Sequence, residues 1–412
     1  MAHQCWKDAV QAELQALVRN NTWTLCPLPA HRITVGCKWI FKVKKKADGN
    51  VDRYKARLVA KGFSQHAGID FRDTFSPVLR AITIITILAV AIMKGWKLRQ
   101  VDVNNAFLNG ELTEDIFMDQ PPGFEVLGAD GQKLVCKLNK ALYGLRQALR
   151  AWFHTLEHFL IDNLGFSASK ADPSLFLRTS ATSQVFLMAY VDDIVLTGSS
   201  NAEVDSVVQQ LHDRFALKDM GRLNFFLGIE VKYTPQGLLL SQRKYIQELL
   251  NKTGMTDAAA TPTPMVGNPK LVASDGSQPF ADGHLYRSTV GMLQYLYITR
   301  PDLSFYVNKL SQYMNSPSET HWKAVKRVLR YLSGTMEHGL LLSNGPVQLV
   351  CYSDADWASL VEDRRSTTGY VIYLGANPIA WCSKKQAVVS RSSSEAEYRS
   401  LANCVSELLW VK

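Results

Sequence analysis

In Tyr190-Val191-Asp192-Asp193 two adjacent carboxylates, Asp192 and Asp193, separate two short apolar runs at residues 185–191 and 194–197. Runs of that length read as strands around an acidic turn. Two adjacent carboxylates at the tip of an apolar hairpin repel each other unless water or a cation compensates them, although Asp is also an ordinary turn former. A second segment changes the balance. Residues 100–108, Gln100-Val101-Asp102-Val103-Asn104-Asn105-Ala106-Phe107-Leu108, read as a strand end running into a turn, with Asp102 inside an apolar strand. Burying an unpaired carboxylate is costly, so Asp102 must face solvent or a partner. If Asp102 and Asp192 converge, they form an oxygen-only cage suited to a hard cation, magnesium above all. Two such ions are what in-line phosphoryl transfer needs.

Outward from these two segments the chain reads as alternating strands and helices. Residues 1–25 open with a helical pattern of Trp6, Val10, Leu14 and Leu17. A strand pair at 37–45 and 51–61 flanks Ala47-Asp48-Gly49-Asn50, and D-G is a hairpin signal. Residues 81–93 form an apolar run too short to span a bilayer, which points to a buried helix. Residues 145–164 make an amphipathic helix with Leu145, Leu149, Trp152, Phe153, Leu156 and Leu160 on one face. Gln147, Arg150 and His154 fall on its polar face. A hairpin follows around Thr234-Pro235-Gln236-Gly237, and residues 256–284, rich in Pro, Thr, Gly and Asp, read as a linker. Two helices at 301–314 and 319–332 come next, the second with an outward stripe of Lys323, Lys326, Arg327 and Arg330.

Composition narrows the partners. The 412 residues are 47% hydrophobic and 20% charged, enough to build more than one core, and the net charge is +9. Residues 31–62 hold ten Lys or Arg against Asp48 and Asp52 alone, a local excess of +8 that suits a polyphosphate as well as a solvated face. Seven cysteines lie scattered without a C-x-x-C pair, which excludes a zinc ribbon and a disulfide framework and points to a reducing compartment. No signal peptide or membrane span is expected, so the protein reads as intracellular, cytoplasmic or nuclear.

The order of motifs resembles the reverse-transcriptase region of copia-type LTR retrotransposon polyproteins. The runs that carry the resemblance are Tyr54 to Gly62 (YKARLVAKG), Asp102 to Leu108 (DVNNAFL), Leu142 to Gln147 (LYGLRQ), Tyr190 to Asp193 (YVDD), Thr299 to Asp302 (TRPD) and Ser392 to Tyr398 (SSSEAEY). The resemblance covers nearly the whole chain from about Trp6. It implies an α+β right-hand polymerase of fingers, palm and thumb over residues 1–285, a helical connection over 286–345, and an incomplete ribonuclease H-like α/β unit over 346–412.

The resemblance also implies roles. Asp102 and Asp192 would hold two magnesium ions, with Asp193 assisting and manganese as an alternative ion. Phe107 would be the aromatic wall under the sugar of an incoming deoxynucleotide. Gln147 would pack on that nucleotide, although Leu149 stands where the family usually has Pro. Lys45 and Arg57, on opposite arms of the basic hairpin, would grip the triphosphate, with Lys44, Lys46 and Lys55 as alternatives in register. Leu227 and Gly228, in Phe226-Leu227-Gly228-Ile229-Glu230, would position the primer end. Lys218 is a weaker candidate for protonating pyrophosphate. The partners implied are an RNA or DNA primer–template and deoxynucleoside triphosphates.

Further on, Leu349 to Asp356 read as a strand ending in carboxylates, followed by strands at 369–374 and 378–384 and a helix opened by Ser394-Glu395-Ala396-Glu397. S-x-x-E is also a capping box, which needs no catalysis. Asp354 and Glu397 match the first two metal ligands of a ribonuclease H fold. The sequence as written stops inside that helix, so the nuclease pair reads as vestigial, with no ribonuclease H activity expected. The expected function is RNA-directed DNA polymerisation. The rival is a non-catalytic nucleic-acid-binding remnant of a degenerate element.

Overall fold

The computed structural model describes residues 4–45 and 50–411. The hairpin turn expected at Asp48-Gly49 and the alternative phosphate ligand Lys46 lie outside the described residues, as does the side chain of Lys45. The architecture is mixed α and β. It divides into two compact units, Met1–Leu79 with Gln100–Leu196 and Ser200–Gly221, and Arg80–Arg99 with Thr197–Ser199 and Arg222–Lys412.

The first unit carries the decisive hairpin. Strands Gln184–Tyr190 and Asp193–Gly198 are neighbours in a six-stranded sheet whose order is Leu217–Arg222, Leu98–Val103, Asp193–Gly198, Gln184–Tyr190, Leu175–Thr179, Ser167–Ala168. Helices Ala148–His158 and Asn201–Arg214 cover one face of that sheet. Trp152, Phe153 and Leu156 from one, and Val204, Val207 and Leu211 from the other, join Val101, Val103, Val185, Leu187, Ile194 and Leu196 in a single buried cluster. The period of two along each strand sends its apolar side chains into this layer. The amphipathic helix is shorter than its apolar periodicity suggests. It begins at Ala148, and its last turn, Phe159–Asn163, is π-helical.

The basic hairpin pairs Cys37–Lys45 with Val51–Ala60 in antiparallel register. Its base is pressed against the Leu142–Gln147 segment, with Ala60 N donating to Tyr143 O at 2.8 Å. Gly62 and Gly144 make this approach feasible. A Cβ on either would run into backbone carbonyls across the contact, and Gly144 has φ +92, which favours glycine. Two of the resemblance motifs thus owe their glycines to packing.

The second unit departs from the expected domain boundaries. Ile246, Leu249 and Leu250 of helix Arg243–Lys252 share one core with Tyr286, Val290, Leu293, Val307, Val325 and Leu329, so residues 286–345 are not a separate connection. Strand Leu340–Ser343 likewise pairs with Gly237–Ser241, which is bound to Ile229–Thr234. The expected linker at 256–284 is a packed strap. Phe280 stacks on Trp322 at 4.8 Å, and Tyr313 Oη donates to Leu271 O at 2.7 Å. Arg327 donates to Thr263 and Arg330 to Ala259 O, so half of the expected outward basic stripe fastens the strap. The apolar run at 81–93 is a buried helix, Ala81–Met93, as expected. Among the described residues no helix is long and apolar enough to cross a membrane.

His321 shows how the strap is locked. Its Nδ1 accepts from Ser318 N at 3.0 Å, so its Nε2–H donates to Val272 O in the strap, also at 3.0 Å. Burial holds this imidazole below its usual pKa. Below about pH 6.5 the unfolded chain therefore takes up a proton that the native state refuses, and stability falls by up to about 1.4 kcal/mol per pH unit. His321→Gln is expected to flatten the loss of urea stability between pH 7 and pH 5. Parallel pH profiles for parent and variant would refute this account.

Candidate active site

Asp102 is the fifth residue of strand Leu98–Val103, and Asp192 is the second central residue of the turn between Tyr190 and Asp193. The backbone brings them together: Val103 N donates to Asp192 O at 2.8 Å, and both carboxyl-bearing residues are half-buried. Burial raises the pKa of Asp102, and the charge of Asp192 raises it further, while Lys218, Lys55 and Arg57 pull it down. A carboxylate whose charge is opposed by burial and by a neighbouring carboxylate would welcome a cation.

Asp193 behaves differently. Its Oδ1 accepts from Gln100 Nε2 at 3.3 Å, and burial followed by the charge of Asp192 raises its pKa. Among the described residues no group of three or more His, Cys, Asp or Glu side chains is gathered to hold a metal ion. Asp193 thus faces Gln100, while the charges of both Asp192 and Asp102 act on it. Gln100 was not anticipated. Strand periodicity places it on the face of Asp102, two residues away, and that was the available signal.

The turn itself is strained. Val191 has φ +56, and Asp192 is not among the positive-φ residues. A β-branched residue in that region costs on the order of 1–3 kcal/mol and persists only when its surroundings enforce it. Trp152 Nε1 donates to Val191 O at 2.6 Å.

Phe107 lies in the short helical turn Ala106–Asn109 that follows the Asp102 strand. It is half-buried and meets Tyr143 edge-on at 4.7 Å. Arg57 lies over the other partner of this stack, its Cζ 4.1 Å from the Tyr143 ring centre. Its Nε is buried and has no hydrogen-bond partner among the described residues. Tyr143, unremarked inside its sequence motif, thus links Phe107 to the basic hairpin.

The register of that hairpin sets which of its basic residues stand together. Lys45 pairs with Val51, whereas Arg57 pairs with Ile40. Five residues separate the two positions along one strand, a backbone spacing of roughly 16 Å at ~3.3 Å per residue. Arg57's nearer companions are Lys55, on its own strand face, and Lys42, paired with Lys55. Burial lowers the pKa of Lys55, and neighbouring Arg57, Arg53 and Lys44 lower it further, against the pull of Glu13. This is a crowd of cations that an anion would relieve.

Gln147 does not sit on a polar helix face. It is the residue before the helix, 3% exposed, and its Nε2 donates to Asp70 O at 2.7 Å while Oε1 accepts from Gln65 at 3.0 Å. Gln65 Oε1 in turn accepts from Arg146 N. Both ends of the Gln147 amide are engaged inside the fold, where they tie the 65–70 segment to the helix start.

In the second unit, Leu227 (φ +50) and Gly228 (φ +74) form the turn between Phe225–Phe226 and Ile229–Thr234, and Tyr295 Oη donates to Leu227 O. Strands Leu349–Ala355, Thr367–Leu374 and Asn377–Lys385 form an antiparallel sheet followed by helix Ser393–Val411. Asp354 and Glu397 are both exposed. Ser400, one turn beyond Glu397, donates to Asp354 O at 2.8 Å. The helix cap is Ser392 with Glu395, not Ser394 with Glu397, so Glu397 has no capping duty.

Comparison with known proteins supplies the lineage. A family model described as reverse transcriptase (RNA-dependent DNA polymerase) matches residues 20–267. The retrovirus-related Pol polyprotein from transposon RE1 of Arabidopsis thaliana is 50% identical over 98% of this chain, and that from transposon TNT 1-94 of Nicotiana tabacum is 38% identical over 98%. The chain spans 28% and 31% of the lengths of these two. A putative Ty5-1 transposon protein of Saccharomyces cerevisiae is 32% identical over 75% of this chain and 100% of its own length. A solved foamy viral protease-reverse transcriptase in complex with double-stranded DNA aligns with 98% of this chain and 60% of its own, at 12% identity and a TM-score of 0.49, too loosely to bear on details. The chain belongs to the reverse transcriptase (RNA-dependent DNA polymerase) family and is similar over nearly its whole length to Pol polyproteins of copia-type retrotransposons.

Proposed function

We propose that this chain adds deoxynucleotides to a primer 3′-hydroxyl on an RNA or DNA template, with the first unit serving as fingers and palm of a right-hand polymerase. The observation that carries the reading is the Asp102–Asp192 pair, joined by the Val103–Asp192 backbone bond and facing the cations of the basic hairpin. The pair fits magnesium, since its donors are hard oxygens and the charge of Asp192 opposes ionisation of Asp102 until a cation offsets it. When bound, the ion supplies charge neutralisation and an activated primer hydroxyl, and manganese would serve in the same place.

The chain's own residues do the rest. Asp102 and Asp192 hold the ions; Asp193, held by Gln100, keeps the turn in shape. Arg57, with Lys55 and Lys42, receives the triphosphate, because a planar guanidinium bridges phosphate oxygens. Phe107, braced by Tyr143, closes the floor beneath the sugar and leaves no space for a 2′-hydroxyl. Lys218, whose charge lowers the pKa of Asp102, is the candidate for protonating the leaving pyrophosphate. Leu227 and Gly228 carry the primer end.

Primer extension on poly-rA and DNA templates, with magnesium and purified protein, tests the reading. Nucleic-acid binding without extension would favour the non-catalytic remnant instead. A sharper test is Phe107→Ala, which should let ribonucleotides compete and reduce the preference for deoxynucleotides by ~10-fold or more, since removing a half-buried aromatic wall opens about a side chain's volume. Unchanged preference in a competition assay would return Phe107 to a packing role.

A further inference from the structure

We infer that Trp152 is a positioning residue for the carboxylate turn: its indole N–H fixes the central peptide of Tyr190–Asp193 and so aims Asp192 at Asp102. The inference rests on the polymerase reading. The carbonyl of Val191 belongs to the peptide between the two central turn residues. Rotation of that peptide is what separates one turn type from another, and it changes the φ of the following residue. Here the following residue is Asp192, so the orientation of a single carbonyl decides where its carboxylate points.

Two elements hold the turn at successive carbonyls. Val191 O accepts from Trp152 Nε1 at 2.6 Å, and Asp192 O accepts from Val103 N at 2.8 Å. The second bond comes from the Asp102 strand and sets the spacing of the pair. The first comes from helix Ala148–His158 and sets the rotation. Trp152 is itself immobilised, being 1% exposed and packed edge-on against Phe215 at 5.2 Å. Val191, at φ +56, has no intrinsic preference for this conformation, so the turn depends on outside hydrogen bonds. A buried core Trp could have served packing alone. The direction of its N–H into the strained turn gives it a second task.

The test removes the N–H while keeping the shape. Site-specific replacement of Trp152 by its benzothienyl analogue, with sulfur in place of N–H, is compared with Trp152→Phe and the parent. Both variants should lose ~10-fold or more in kcat, with the KM for deoxynucleotide and the primer–template affinity unchanged within about twofold. Hydrogen exchange should quicken in the peptide containing Tyr190–Asp193 and not in the rest of the sheet. A parent that extends no primer overturns the polymerase reading, while the exchange result still decides the hydrogen-bond role. Parental exchange at the turn in the sulfur variant, parental kcat in an active background, or faster exchange throughout the core would each overturn the inference.

Discussion

Asp192→Asn is expected to lower primer extension by roughly a thousandfold or more while leaving primer–template affinity nearly unchanged. The several kcal/mol that a catalytic divalent ion contributes correspond to a factor of ten for every ~1.4 kcal/mol. Asn keeps the size and the turn preference of Asp, and the backbone carbonyl that accepts from Val103 is untouched. The change therefore removes charge and little else. With that charge gone, one of the causes raising the Asp102 pKa disappears, so Asp102 should ionise more readily without restoring the second ligand. Binding of nucleic acid is dominated by Lys and Arg contacts to phosphates, which this variant retains. An anisotropy titration beside single-turnover extension separates the two quantities. Parallel loss of affinity and activity would show that Asp192 organises the fold of the site rather than serving ions.

The parts of this site that were legible in the sequence are those written in local chemistry. An acidic pair between apolar runs can only be a turn between strands, and the decisive hairpin has that form. Asp102 was legible for the same reason, as a carboxylate in an apolar strand that needs a partner. Gln147 was misread because a helical wheel was applied one residue too early. The helix starts at Ala148, and the residue before it obeys no helical periodicity, so its side chain turns inward to Asp70 and Gln65.

The other departures share one cause. Whether a polar or Pro-rich stretch is free or packed depends on partners far away in sequence. Residues 256–284 have linker composition, yet Arg327, Arg330, Tyr313 and His321 reach across 42 to 71 positions to hold them. The basic stripe and the linker were two halves of one contact, and neither half reveals the other. Hairpin register is likewise invisible from composition. Ten basic residues predict a phosphate surface, but only the pairing of Lys42 with Lys55 and of Ile40 with Arg57 says which of them stand together.

That register leads to the second large effect, on Arg57. Arg57→Ala is expected to raise the KM for deoxynucleoside triphosphates by ~10- to 100-fold with a smaller fall in kcat. A charge-assisted hydrogen bond contributes about 1.5–3 kcal/mol, and each ~1.4 kcal/mol is tenfold in affinity. Arg57 suits the task because its Nε has no hydrogen-bond partner among the described residues, while its guanidinium is held over Tyr143 by a cation–π contact that fixes its direction. Losing it should also loosen Tyr143 against Phe107, so discrimination against ribonucleotides should weaken modestly in the same variant. Arg57→Lys keeps the charge but neither the planar fork nor the stacking, and should fall between parent and Ala. Steady-state kinetics with deoxy- and ribonucleotides on one primer–template measure both consequences. If Arg57→Ala left the nucleotide KM unchanged but weakened primer–template binding in a salt-dependent way, the hairpin would be gripping the nucleic-acid backbone instead of the triphosphate.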